Sequence, residues 1–296
     1  MKKKRMSSYA ANKIADICIY GFLALIALTC LFPFVHVFAK SISEEAFVIA
    51  NEVFLLPKGF TLDAYKKVLS DASIIYSFYI SVIVTVLFTI LGMIITLCAA
   101  YPLSRRSLKG RTGITMFFMF TMYFTGGIIP EYLLMNSLGL LDTMAVMILP
   151  LAFSPYNLLI MKTSLQNSIP DSLIESAHLD GASEFTILTR IVIPLSKPII
   201  ATLSLFYAVG RWNAYQDALF YIKQNVSLRP LQLKLYYLVV SSTESFQAAV
   251  EGSAQLTNPE VLKAACIIFA TVPIICIYPF IQKYFVQGAM VGSVKE

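Results

Sequence analysis

Two polar clusters interrupt an otherwise apolar chain, and each carries residue types with a definite chemistry. The first, RWNAYQD (211–217), follows Tyr207 by one helical turn and holds Arg211, Trp212, Asn213 and Asp217 close together in sequence. Amide and acid groups beside aromatic faces suit hydroxyl-rich ligands lining an outward vestibule, and an arginine fork would suit a ligand carboxylate. The competing reading sets Arg211 and Asp217 at the outer membrane interface, with Trp212 and Tyr215 as belt aromatics. The second cluster, ESAHLDGA (175–182), is small and anionic. Ser176, Ala177, Gly181 and Ala182 would let a backbone lie close in a partner's groove, and Glu175 and Asp180 would meet basic residues there. The competing reading is a solvated connector. Neither cluster is catalytic: His36 and His178 are the two histidines, and HExxH, GxSxG and GxxxxGK[ST] do not occur. No metal set or nucleotide-phosphate cradle is therefore expected in this chain.

The elements that must position these clusters are membrane spans. Of 296 residues, 57% are hydrophobic and 14% charged, where soluble domains run near half and a quarter. The stretches 17–39, 72–104, 112–130, 143–161 and 264–282 contain no Asp, Glu, Lys or Arg, and a spanning helix needs roughly 20 apolar residues. A further candidate is apolar up to Gly210 and then meets Arg211 and Asp217. The expectation is an all-α integral membrane protein, one domain over 1–296. Its six spans fall at about 14–39, 72–104, 112–134, 142–162, 196–221 and 261–283. Pro150 and Pro155 predict kinks in the fourth. Cys18, Cys30, Cys98, Cys266 and Cys276 all fall within spans without a CxxC pair, so they read as buried small hydrophobes.

Lys2, Lys3, Lys4, Arg5 and Lys13, and then Arg105, Arg106, Lys109 and Arg111, mark the N-terminus and the loop after span two as cytoplasmic. The stretch 40–71 mixes four lysines with five acids, and the next connection holds Glu131 and Asp142 without a base. Those belong outside, so both termini are expected in the cytoplasm. The net charge of +6 follows from this asymmetry and calls for no nucleic acid. The first apolar run exceeds a signal peptide's core and lacks a small-residue cleavage site, so it reads as a retained helix.

The inside loop 162–197 is too polar for hydrocarbon and reads as helix, turn, helix. Pro170 suits a first helical turn, Asp171 favours the positive helix start, and Ile174, Ala177 and His178 share a shallow face. Asp180-Gly181 supplies a left-handed turn, and a second helix from Ala182 to about Ile193 is stopped by Pro194.

ESAHLDGA followed by IVIPLSKP resembles the EAA signature of the permease subunits of ABC importers. Glu175, Ala177, Asp180, Gly181, Ala182, Ile193, Pro194 and Pro198 hold matching positions, while Ser176 stands for the commoner alanine. AYPLSRRSLKGR, IPEYLLMNSLGLLDTMAVMILP, RWNAYQDALFYI and KYFVQGAMVGSVKE extend the similarity to the maltose-transporter-like permeases, nearest those for pectin or alginate fragments. The resemblance implies that the loop, with Pro194 at its end, is a coupling helix seated on an ATP-hydrolysing subunit. It also implies a tail 284–296 whose Gln287, Gly288 and Gly292 reach the ATPase pair. Expected partners are a second homologous permease, two ATPase subunits, an external solute-binding protein meeting 40–71 and 222–260, and an oligosaccharide. No cofactor is expected, ATP being bound by the partner, and the implied location is the bacterial plasma membrane. An importer for a non-sugar solute and an ion-coupled carrier are the alternatives. The carrier is disfavoured because only Asp217 could serve as an intramembrane carboxylate and no internal repeat exists.

Overall fold

A computed structural model describes the backbone of residues 2–250 and 260–293, with side chains at 13, 15–240, 260–279 and 282. Fourteen α-helices make up these residues: α1 (Lys2–Ser41), α2 (Glu45–Ile49), α3 (Asp63–Ser70), α4 (Ala72–Ser104), α5 (Arg111–Tyr123), α6 (Ile128–Ser137), α7 (Pro155–Ser168), α8 (Asp171–Leu179), α9 (Glu184–Ile187), α10 (Ile193–Leu195), α11 (Lys197–Asn213), α12 (Gln216–Tyr221), α13 (Leu231–Val250) and α14 (Glu260–Ser293). No strand occurs among the described residues beyond a single bridge between Ser43 and Phe60.

Three stretches, Ala15–Ser41, Ala72–Ser104 and Glu260–Pro279, are long and apolar enough to cross a bilayer unaided. Two more are broken: α5 and α6 meet at 109°, and the run Glu184–Leu195 meets α11 at 83°. The first break falls at Phe124–Gly127, where Gly127 takes φ +85°, a conformation that suits glycine. The expected fourth span over 142–162 is divided. A 3-10 turn at Met144–Met147 precedes α7, which starts afresh with Ser154 capping the Asn157 N–H and Pro155 in the first turn. Proline lacks the N–H a continuing helix needs, so the chain stops and restarts here rather than kinking.

The chain forms two compact units. One comprises 1–71 and 238–269, the other 72–237 and 270–296. In the first, α1 emerges with its apolar side chains exposed along Ile17–Phe34, while Val48, Val53, Ala64, Val68, Val261 and Ala265 form the buried centre. Ser43 binds this region to itself, donating to the Ala39 carbonyl at 2.6 Å and accepting from the Lys58 N–H at 3.1 Å.

In the second unit α4 packs along α7 and α11. Gly92 permits the approach: a Cβ there would lie 2.9 Å from both the Ala152 carbonyl oxygen and the Tyr207 ring. One cluster, around Leu158, Met161, Leu165, Ile187, Val192 and Leu203, joins α7 to the loop helices. Another, around Ile80, Val84, Met147, Ala218, Ile222 and Leu233, lies at the opposite end of α4. Of the cysteines, Cys266 alone is buried; Cys18, Cys30, Cys98 and Cys276 sit on exposed helix faces, where apolar surroundings come from outside this chain.

Candidate functional site

α7 carries the chain to Ser168, past the expected end of the fourth span at 162, and the first loop helix begins one residue later than the sequence predicts. Pro170 is extended (φ −62°, ψ 141°) and precedes the helix, with Asp171 opening α8. The chain reverses at Gly181, φ +78°, and the next helix starts at Glu184 rather than Ala182, with Ser183 capping it by accepting from the Thr186 N–H. Pro194 does not end that helix. Leu188–Val192 widens into a π-turn and Pro194 enters at the start of α10, so the helical path runs to Leu195 and breaks at Ser196. A wider turn accommodates the missing N–H that would otherwise stop the helix.

Burial divides α8 into two faces. Ile174 and Ala177 are buried among Leu165, Ile169, Ile187 and Tyr101. Ala177, expected to meet a partner, instead holds the helix against its own span ends, and Ala182 is half-buried beside it. Glu175, Ser176, Asp180 and Gly181 are exposed. Two apolar side chains that sequence reading passed over stand out beside them: Leu179 is 90% exposed and Phe185 74%. Glu184 fastens the loop to α4, accepting from the Tyr101 hydroxyl at 2.5 Å and lying 3.3 Å from His178 Nε2. Pro194 is exposed.

The 211–217 cluster is assembled by a break in the helix. Six residues apart, Arg211 and Asp217 would not face each other on one helix, but α11 ends at Asn213 and α12 restarts at Gln216. The guanidinium is 4% exposed. It donates to both Asp217 carboxylate oxygens at 2.5 and 2.9 Å and to the Met147 carbonyl at 3.1 Å, and lies 5.7 Å from the Phe88 ring centre. Its charge is thus neutralised internally. Tyr207 is also committed, sharing a 2.7 Å hydrogen bond with Thr96 Oγ1 and accepting from the Ser154 N–H. Trp212 donates to the Ala270 carbonyl at 3.0 Å and packs edge-on to Phe78. Asn213 and Asp217 do line an open cleft of ≈ 320 Å³, together with Glu131, Tyr215, Gln216 and Tyr221. Glu131, from the far side of the α5–α6 break, had no sequence signal linking it to 211–217.

The rim of this end is held by Asp142. It takes φ +57° and accepts three consecutive N–H bonds, from Lys223, Gln224 and Asn225, at 2.7, 2.7 and 3.1 Å. Its own N–H donates to the Tyr221 carbonyl at 2.9 Å. The tail residues Gln287, Gly288 and Gly292 continue α14 in backbone; their side chains lie outside the described residues.

The described residues thus form a bundle of broken helices that carries a helix–turn–helix loop. The chain belongs to the family of binding-protein-dependent transport system inner membrane components, whose model matches residues 75–291. It is 44% identical over 285 residues to the polygalacturonan/rhamnogalacturonan transport system permease protein of Bacillus subtilis strain 168, covering 96% of this chain and 99% of that one. It is 41% identical to the protein LplC of the same organism, over 98% of each chain. The fold matches a chain of a bacterial ABC transporter involved in the import of the acidic polysaccharide alginate, with TM-score 0.82 and 34% identity, covering 93% and 98% of the two chains. The protein is therefore a non-catalytic, multi-pass subunit of a bacterial plasma-membrane ABC importer with a type I permease fold. ATP is hydrolysed by a partner subunit, and a solute-binding protein delivers the cargo.

Proposed function

We propose that this chain is one of two homologous permeases forming the pathway of a sugar importer whose cargo is an acidic oligosaccharide. The observation that carries this reading is the nearly full-length likeness to permeases named for polygalacturonan/rhamnogalacturonan and alginate import. Both of those cargoes are polyanionic sugar chains. In this reading the chain crosses the membrane six times, with the broken pair α5–α6, α7 and the α11–α12 segment completing the count, and both termini lie in the cytoplasm. It binds no cofactor; ATP sits on the partner.

Glu175, Ser176, Asp180 and Gly181, with Leu179 and Phe185, form the face that seats in the ATPase; Ala177 and Ala182 support it from behind, and Pro194 closes the loop at its exposed end. Gln287, Gly288 and Gly292 reach the ATPase pair. Closure of that pair pulls the loops together, and the spans switch between outward and inward packings. The cleft at Asn213 and Asp217, with Glu131 and Gln216, lies on the sugar's path. Tyr207, Arg211 and Trp212 shape it from within. Because Arg211 is already paired, acidic cargo is selected elsewhere, on the second permease or the binding protein.

The test is uptake of labelled oligogalacturonate and of a neutral oligosaccharide by cells with and without this chain. Loss of oligogalacturonate uptake on deletion is expected, and its persistence would overturn the reading. Uptake that survives removal of the ATPase would instead favour an ion-coupled carrier.

A further inference from the structure

The orientation signal Arg105, Arg106 and Arg111 has a geometry that orientation does not require. A recess of ≈ 390 Å³ lies between the end of α4, the start of α5 and the α7–α8 junction, lined by Arg105, Arg106, Arg111, Gln166, Asn167 and Asp171. Arg105 is folded inward with its side chain 13% exposed, and its Nε and one terminal nitrogen are buried without a hydrogen-bond partner, as is one terminal nitrogen of Arg111. The one carboxylate, Asp171, stays at 3.8 and 3.7 Å from Arg105 and Arg106, too far for the short charge-assisted bonds guanidinium forms. Lys162 adds a fourth cation nearby, donating to Thr115 one turn above Arg111. The starts of α5 and α8 both border the recess and neither has a side-chain cap, so their free N–H groups add positive potential. Buried, unpaired guanidinium nitrogens are costly unless an anion meets them.

The depth of the recess and its surroundings select the anion. It sits where apolar helices end, and directly beyond Arg111 the side chains of Ile114, Met116 and Phe117 are 42%, 64% and 63% exposed. A phosphate in the recess could therefore belong to a molecule whose chains run along α5, and basic pockets at the cytoplasmic ends of spans suit such headgroups. We propose that the recess binds the phosphate of an anionic phospholipid of the inner leaflet, bracing Pro170-Asp171 and with them the start of α8. The leaflet assignment rests on the orientation given under Proposed function; the site itself does not.

The test uses the assembled transporter, purified in mild detergent and exposed to phosphatidylglycerol or phosphatidylcholine vesicles, with retained lipid counted by native mass spectrometry. The expected result is preferential retention of phosphatidylglycerol. Retention should fall about tenfold or more in R105Q/R111Q, be preserved in R105K/R111K, and rise in D171N, where the competing carboxylate is gone. Unchanged retention in R105Q/R111Q would overturn the site. If that variant fails to assemble, D171N decides: retention no higher than wild type overturns it. Inorganic phosphate that raises the melting temperature of wild type but not of R105Q/R111Q, without lipid retention, would assign the recess to a free anion and overturn the lipid. Crosslinking of R105C to the ATPase would overturn it in favour of a protein carboxylate. Lipid retention in detergent is blind to sidedness. Labelling of K109C from the outer face would therefore sink the orientation while leaving the site standing.

Discussion

At the scale of single residues, the Arg211–Asp217 pair decides how this end of the second unit should be understood. A guanidinium at 4% exposure with every contact internal is a structural device, and removing one member strands the other charge. R211A or D217A should each cost about 3–5 kcal/mol of stability, whereas R211M/D217L should recover most of that loss. Melting of the detergent-solubilised complex checks the order. R211A should lower uptake of acidic and neutral oligosaccharides alike; a loss confined to acidic cargo would show that the guanidinium reaches the sugar. The residue types of this cluster were legible in the sequence, but the pairing was not. It depends on a helix ending at Asn213 and restarting at Gln216, and a spacing of six offers no helical face.

At the scale of elements, the loop α8–α9 works as a rigid finger. Its inner face is fixed by Ile174 and Ala177, its base by the Tyr101–Glu184 hydrogen bond, and its turn by Gly181. The outer face keeps Leu179 and Phe185 bare. L179D/F185D should leave the permease folded, since neither side chain is buried, yet weaken retention of the ATPase by about tenfold or more, as loss of interface anchors does. Co-purification from membranes measures this, and full retention would remove both residues from the docking face. In G181V the added Cβ meets nothing within 4 Å. Its cost is the left-handed backbone, about 1–2 kcal/mol. The helix–turn–helix itself could be read from Asp171, Asp180-Gly181 and the prolines. The outward face could not, because Leu179 and Phe185 look like core residues in a linear pattern. Pro194 misled as a stop because the π-turn before it is a tertiary accommodation.

At the scale of the whole molecule, charge asymmetry and neutral gaps made the membrane class legible, while the breaks at 124–127, 148–154 and 196 blurred the count of crossings. Exposed apolar residues along α1 and α5 leave surface for lipid, and the mixed permease pair proposed above has a direct test. Native mass spectrometry of the purified importer should find one copy of this chain, one related permease and two ATPases. Two copies of this chain would replace the mixed pair with a symmetric one.

Asp142 has a consequence for descent as well as for stability. Because one carboxylate grips three successive peptide groups at 223–225, the chain there has a fixed length as well as a fixed shape. A codon inserted between Ile222 and Asn225 would pull at least one of those amides off its acceptor, so lineages of this transporter should vary in length in other connecting loops and keep this interval constant.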